Sequence, residues 1–404
     1  MSKILVWNTF PLQNSGGPSG YNFNVRTYVK ENNITDIIFL SDLIDITNVH
    51  TNPSIKVNNR PANIISKLYN VLRYRWGLLY NFLYGSYNEP FEGIPEGFSI
   101  DEFDYVHVHF SMHANRIKKT FPNYQGRVII TSHQPCSTVD EILDMTHYPF
   151  LNFFRHLGHL AEAKAYDAAD YIMFPCRQAR EPYEKVSALK KSFKRNEKKF
   201  FYVPSSILDI EIDENKIQKF SELGIPDDAF VITYFGRHTP IKGYDILKEV
   251  GSRLLDKYPN LYFLCAGKGE ITPLNHKRWI ELGFINNAVE LLYQSNLYIL
   301  PNRDTYFDLV TLEILRSSTP VILSYTGGNK YFKDELPEKE TQGMDFFDID
   351  NFEELVKKVE SHIEEYYHNR QEYMLKAQSN RQLFLKRFTI ASFVDTYLNS
   401  VKNL

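Results

Sequence analysis

The chain has only three cysteines in 404 residues, Cys136, Cys176 and Cys265. They are far apart and odd in number, and no C-x-x-C spacing occurs, so neither a disulfide framework nor a thiolate zinc or dithiol centre is indicated; a reducing compartment fits best. The chain also lacks any apolar run long enough to span a bilayer. Its N-terminus, MSKILVWNTFPL, carries one lysine and a short apolar stretch broken by Asn8 and Pro11. That pattern predicts a first β-strand and not a signal peptide. A large charge of one sign is missing too. With a net charge of −3, the chain is not a general binder of nucleic acid. No internal repeat is visible. These absences point to a cytoplasmic protein, held at a membrane only if its surface docks on the inner face.

What is present suits a globular enzyme. The length fits two domains of about 200 residues each, and 43% hydrophobic with 24% charged residues allows a packed core. The 27 tyrosines and 29 phenylalanines either thicken that core or line surfaces that need a flat apolar face with a polar edge, such as carbohydrate sites and membrane interfaces. Short β-branched runs alternate with longer amphipathic stretches, which predicts α/β architecture with parallel sheets and helical crossovers. Ile4–Asn8, Ile37–Leu40, Tyr105–His109, Val128–Thr131, Tyr171–Phe174 and Phe200–Val203 read as strands of a first domain. Val231–Phe235, Tyr262–Ala266, Leu297–Leu300 and Val321–Ser324 read as strands of a second, with the boundary near Pro204–Pro226.

The segment VITYFGRHTPIKG, Val231 to Gly243, pairs a strand-ending glycine, Gly236, with Arg237 and Lys242. One forked and one point-like cation beside an approachable backbone suit a pyrophosphate. Further on, PNRDTYFDLVTLEILRSSTPVILSYTGG supplies a second loop, a helix with Glu313, and a strand ending in Gly327 and Gly328. A carboxylate that accepts two hydrogen bonds suits a ribose diol. In the first half, Gly16, Gly17 and Gly20 follow the first strand and precede a helix, where backbone can approach a phosphate or sugar; a plain tight turn explains the glycines equally well. His133 ends a strand at a carboxyl edge, where ligands of α/β sheets collect. His107 and His109 share a strand face, with His113 nearby in sequence and His147 further on, but no cysteine or carboxylate set accompanies them and no metal site is assigned. Asp348-Ile-Asp350 imitates a D-x-D metal motif, yet Asp350 precedes NFEEL with Glu353 three residues on, a capping box that starts a helix.

The two blocks around Arg237 and Glu313 resemble the retaining glycosyltransferases of family 4, of the bacterial polysaccharide or glycoconjugate type. The resemblance implies the GT-B fold, two facing Rossmann-like domains with a deep interdomain cleft. It implies an acceptor-binding domain over residues 1–205, a nucleotide-sugar domain over 206–379, and a final helix, about 380–404, that packs back on the first. It implies that Arg237 and Lys242 act on the donor diphosphate, that Glu313 holds the ribose, and that Gly16, Gly17, Gly236, Asp308, Leu309 and Val310 complete the donor site. His133 would contact the donor sugar or the reacting centre. The family's second glutamate, eight positions before Glu313, is Thr305 here, and Asp308 follows Phe307 where members have glycine. Asp304, Thr305, Phe307 and Asp308 are therefore the candidates for contacting the sugar.

The resulting expectation is a hexosyltransferase that moves a sugar from a nucleotide diphosphate sugar to a hydroxyl of a glycan or lipid-linked acceptor, with no cofactor and no metal. A glycosyltransferase-like subunit that binds glycan or protein without catalysis is the alternative, and a nucleotide-sugar epimerase ranks below it. Two stretches suit an anionic membrane surface: the aromatic helix Asn63 to Gly85, with Arg73, Arg75 and Trp76, and KKSFKRNEKK from Lys190 to Lys199, with six basic residues against one acid. A buried helix and a solvated helix face are their structural alternatives.

Overall fold

The computed structural model describes residues 2–13, 17–49, 64–145, 148–210, 219–285 and 288–404. By Cα proximity the chain divides into two compact units. The first comprises Met1–Pro175, Arg180–Val203 and Val394–Leu404; the second comprises Cys176–Ala179 and Pro204–Phe393.

Each unit is built on a six-stranded sheet in which every strand pairing is parallel. The first contains β1 (Ile4–Trp7), β2 (Ile37–Phe39), β3 (Tyr105–Val108), β4 (Arg127–Thr131), β5 (Tyr171–Phe174) and β6 (Phe200–Tyr202), in the order β2-β1-β3-β4-β5-β6. The second contains β7 (Phe230–Phe235), β8 (Leu261–Ala266), β9 (Trp279–Glu281), β10 (Leu297–Leu300), β11 (Val321–Ser324) and β12 (Met344–Phe347), in the order β12-β11-β10-β7-β8-β9. The central strands are buried along their length, as sheets covered on both faces require. In each unit the first strand has later strands on both sides, β1 between β2 and β3, and β7 between β8 and β10. The loops leaving the carboxyl ends of such a pair diverge to opposite faces, and the crevice they leave is where open α/β sheets hold ligands.

Ten strands match the sequence expectation within a residue or so; β9 and β12 were not foreseen. Both are edge strands of the second sheet, and their runs, Trp-Ile-Glu and Met-Asp-Phe-Phe, carry a carboxylate where a buried strand would show an apolar run. The capping box also differs. Asn351, not Asp350, caps the Phe352–His368 helix by accepting from the Glu354 N–H at 3.1 Å, and Glu354 reaches back to the Asp348 N–H at 3.2 Å. The side-chain cap is thus present one residue further along, but Glu354 bonds Asp348 and not the cap's own N–H, so the box is not reciprocal.

The tail is not one continuous helix over 380–404. The Arg370–Arg387 helix ends at Phe388, whose buried ring packs on Phe307 and Phe332. Thr389 then caps the last helix, Ile390–Lys402, by accepting from the Ser392 N–H at 3.2 Å. From Val394 onward this helix belongs with the first unit. There the Tyr397 hydroxyl meets His107 Nδ1 at 2.8 Å, and the Tyr171 hydroxyl donates to the carbonyl of Leu404 at 2.8 Å. Both Tyr397 and His107 are buried, so neither polar group has water as a substitute. Tyr397→Phe is expected to lower stability by about 1–3 kcal/mol in urea unfolding, because it leaves an imidazole nitrogen unpaired inside the unit; an unchanged midpoint would contradict that role.

Candidate functional site

In the second unit the loops after β7, β10 and β11 are stitched into one structure at the switch point. Leaving β7, the chain turns through Gly236 to Gly243, and the Tyr234 hydroxyl donates toward both ends of that turn, to the carbonyl of Arg237 at 2.9 Å and of Lys242 at 3.3 Å. Tyr298 of β10 fastens the strand end itself, since its hydroxyl accepts from the Phe235 N–H at 2.7 Å and faces the Phe235 carbonyl at 2.9 Å. Gly243 has φ +66°, and a Cβ there would lie 1.9 Å from the carbonyl oxygen of Pro301. Only glycine lets the two loops touch backbone to backbone. On the other side, a Cβ at Gly327 would lie 2.0 Å from the Thr305 carbonyl and one at Gly328 1.9 Å from that of Tyr306. The 301–308 loop is therefore gripped between its two neighbours.

Polar contacts reinforce the grip. Arg303 forks onto Asp245 at 2.8 and 2.7 Å and its backbone N–H donates to Ile241 at 2.9 Å, while Ser324 Oγ donates to the Asn302 carbonyl at 2.6 Å. Below the β7 loop, His238 stacks face to face on Tyr244 at 3.7 Å between centroids, and Glu281 accepts from the Tyr244 hydroxyl and from Trp279 Nε1. Sequence reasoning missed the Arg303–Asp245 clasp, the two tyrosine hydroxyls and the His238 stack. The Arg303–Asp245 and Tyr298–Phe235 contacts join distant strands and loops, and the local Tyr234 and His238 contacts follow no recognised spacing.

This frame sets the charges. Arg237 is exposed, and no described carboxylate pairs with it. Lys242 Nζ lies 3.0 Å from Asp308 Oδ1. Asp308 also accepts from Asn302 Nδ2 and, at 2.6 Å, from Thr305 Oγ1, and it precedes the Leu309–Arg316 helix, whose first N–H groups, those of Leu309 and Val310, have no intrahelical acceptor. Glu313 lies one turn into that helix. Burial pushes its carboxyl above the usual range, and the Arg316 charge offsets this in part. No described side chain hydrogen-bonds to it. Of the proposed sugar contacts, Thr305 is 1% exposed and holds Asp308, and Phe307 is 5% exposed and packs on Tyr331, Phe332 and Phe388. Asp304 and Asp308 remain as half-buried carboxylates of the loop.

The first unit has a different edge. Gly17 opens the Gly17–Glu31 helix after β1, whereas Gly16 and His147 lie outside the described residues. His107 of β3, His109 just beyond it, and His133 after β4 form a stack, with centroids 4.5 and 5.0 Å apart. His109 Nδ1 meets His133 Nε2 at 2.7 Å, and His107 Nε2 meets Thr131 Oγ1 at 2.7 Å. Burial is the main cause of depressed basicity throughout, pushing His107 and His113 down to about 3 and His133 to about 4, with His109 well below its ordinary value. These rings are neutral near pH 7 and act as hydrogen-bonding groups. Among the described residues no group of three or more His, Cys, Asp or Glu is placed to hold a metal ion. A cavity of about 1030 Å³ runs along β12, lined by Lys339, Met344, His362, Tyr373 and Lys376 and by none of the loop residues above.

Solved structures share this architecture over the whole chain. Anabaena HepE in complex with UDP superposes with a TM-score of 0.59 at 12% identity, covering 100% of both chains. The catalytic domain of starch synthase IV from Arabidopsis thaliana, bound to ADP and acarbose, gives 0.60 at 13% identity over 98% of both. The fold is GT-B. Residues 229–365, wholly within the second unit, match the family described as glycosyl transferases group 1. An uncharacterised glycosyltransferase of Methanocaldococcus jannaschii is 30% identical over 127 residues, 28% of this chain and 32% of that protein. The UDP-Gal:alpha-D-GlcNAc-diphosphoundecaprenol alpha-1,3-galactosyltransferase of Escherichia coli is 28% identical over 144 residues, 32% of this chain and 36% of that protein. The chain thus spans about a third of the length of these two curated relatives.

Two outcomes are expected. Gly243→Ala combines an unfavourable φ with a collision against Pro301, and should cost about 2 kcal/mol or more in denaturant unfolding; a neutral effect would refute the gripped-loop geometry. The buried histidines bind protons more readily unfolded than folded, so their contribution to stability is full above about pH 6.5 and is lost as pH falls toward 4. Unfolding midpoints measured from pH 7 to 5 should fall, before most carboxylates titrate; a flat profile would contradict neutral burial.

Proposed function

We infer that the protein transfers a sugar from a nucleoside diphosphate sugar to a hydroxyl group. The observation that carries this reading is the rigid three-loop frame of the second unit. It carries Arg237, which has no carboxylate partner among the described residues, and Lys242, which lies 3.0 Å from Asp308 at the start of the Leu309–Arg316 helix, with the half-buried carboxylate of Glu313 one turn into that helix, a set that would suit a diphosphate and a ribose. UDP in the Anabaena neighbour and ADP in the starch synthase support a nucleoside diphosphate as leaving group.

As the anomeric bond breaks, negative charge builds on the diphosphate. Arg237 and Lys242 meet that charge without reorganising the backbone, which the Tyr234 hydroxyl and Gly243 already hold, so the cations stabilise the transition state more than the ground state. Lys242 would exchange Asp308 for phosphate on binding. Glu313 accepts the ribose hydroxyls, and Asp308 and Asp304 are assigned to the transferred sugar in place of the family glutamate replaced by Thr305. On the first unit, His133 offers a neutral imidazole as a hydrogen-bonding group for a hydroxyl-bearing molecule. Retention of configuration is part of the proposal, with the departing phosphate taking the acceptor proton. The acceptor is proposed to be a glycan or a lipid-linked sugar in surface polysaccharide or glycoconjugate synthesis, in line with the diphosphoundecaprenol acceptor named for the Escherichia coli relative.

One observation favours the non-catalytic reading. The Lys242–Asp308 pair gives one of the two cations an internal partner, so a site that binds donor weakly and serves only recognition is the second reading. Transfer assays decide between them. With a panel of UDP-, GDP-, dTDP- and ADP-sugars and lipid-linked or glycan acceptors, Arg237→Ala should lower turnover about 100- to 1000-fold, and Glu313→Gln should weaken donor use about tenfold or more, both with unchanged unfolding midpoints. Wild-type rates in both variants would refute the assignment of these residues, and silence of the wild type across every donor and acceptor would favour the recognition subunit.

A further inference from the structure

The Ile64–Tyr80 helix of the first unit is built the wrong way round for a buried helix. Every residue from Val71 to Trp76 is exposed, and Leu72, Trp76 and Tyr80, at i, i+4 spacing, form an apolar stripe facing outward. Its far end is anchored, since Leu79 and Phe82 are buried with Leu143 and Leu151 in one cluster. The segments around that cluster add exposed apolar groups of their own: Phe153 at 89% exposure, Met145 at 74% and Leu157. These segments touch the helix directly, through Tyr74 and Tyr148 hydroxyls 3.0 Å apart and through Arg75 over the Phe150 ring.

Along the helix and the turns that follow it, the charge has one sign. From Ile64 to Asn88 the sequence holds Lys67, Arg73 and Arg75 and no carboxylate. Of the acids on neighbouring segments, Asp140 pairs with Arg155 and His159, whereas Glu141 and Glu89 accept from the neutral Gln134 and Tyr80 and, like Asp144, keep their charge. The second basic stretch is used differently. Arg195 pairs with Asp167 at 2.6 Å, and Lys199 donates to the carbonyls of Asp167 and Ala169, so these two cations fasten the end of the Arg155–Ala168 helix.

We propose that the face carrying Leu72, Trp76 and Phe153 docks on an anionic lipid bilayer. Tryptophan, tyrosine and leucine enter the boundary between head groups and acyl chains, while arginines on flexible stems reach the phosphates. Each arginine near such a surface strengthens binding roughly fivefold. The inference stands whether or not the chain transfers sugar.

Trp76 makes the test direct, because it is 68% exposed while the chain's other two tryptophans, Trp7 and Trp279, are buried. The full chain is mixed with phosphatidylcholine vesicles, with or without roughly 30% phosphatidylglycerol, and tryptophan emission and sedimentation are recorded. Anionic vesicles should shift emission to the blue and carry the protein down, with the effect fading at high salt. Trp76→Phe should remove the shift while most sedimentation remains. The double variant Leu72→Glu, Phe153→Glu, whose sites are both exposed, should keep its unfolding midpoint and bind about tenfold more weakly or worse. Absence of binding to anionic vesicles, or full binding by the double variant, would overturn the proposal. So would a dimer in light scattering that the double variant dissolves, since a second copy of the chain would then be the occupant.

Discussion

Everything assigned to the second unit depends on one close approach, that of Gly243 to the carbonyl of Pro301. β7 and β10 are neighbours at the point where strand order reverses, so their outgoing loops would ordinarily diverge. Here the loops touch because one has no side chain at the contact. The Arg303–Asp245 fork and the Tyr234 hydroxyl then hold the touching loops in one arrangement. Lys242 of the β7 loop reaches Asp308 at the start of the Leu309–Arg316 helix at 3.0 Å, and Arg237 leaves the same loop into solvent. A donor site of the proposed kind, built on this frame, would meet developing charge with dipoles already in place.

The two sheets present opposite chemistry at equivalent edges. At the carboxyl ends of β3 and β4, burial has driven the imidazoles of His107, His109 and His133 to their neutral forms, joined by ring stacking and one short His–His hydrogen bond. At the end of β7 an arginine is left in solvent with no carboxylate partner among the described residues. Desolvation removes charge at the first edge, and exposure keeps it at the second. A neutral hydrogen-bonding edge suits hydroxyl-bearing molecules, and a cationic one suits phosphates.

Much of this was legible in the residues. The alternation of short apolar runs with amphipathic stretches gave ten of the twelve strands, and the order of Gly236, Arg237, Lys242 and Glu313 pointed to the loops the structure stitches together. What escaped has physical reasons. β9 and β12 are short edge strands with carboxylates, and edge strands need no continuous apolar run. The break at Phe388 and Thr389 follows from where the Phe388 ring is buried, which is a tertiary fact. Thr305 and Phe307 look like ligand contacts in a motif, yet the fold uses one to orient Asp308 and the other to fill a core. The aromatic helix Ile64–Tyr80 reads equally as core or surface by periodicity, and only exposure distinguishes the two.

The most direct test of the account is a crystal structure of the protein soaked with the nucleoside diphosphate sugar it uses. The account predicts a diphosphate against Arg237, Lys242 and the N–H groups of Leu309 and Val310, with Lys242 drawn off Asp308 and the ribose hydroxyls on Glu313. A donor bound elsewhere, or one bound with the Lys242–Asp308 pair intact and Arg237 turned to solvent, would contradict it.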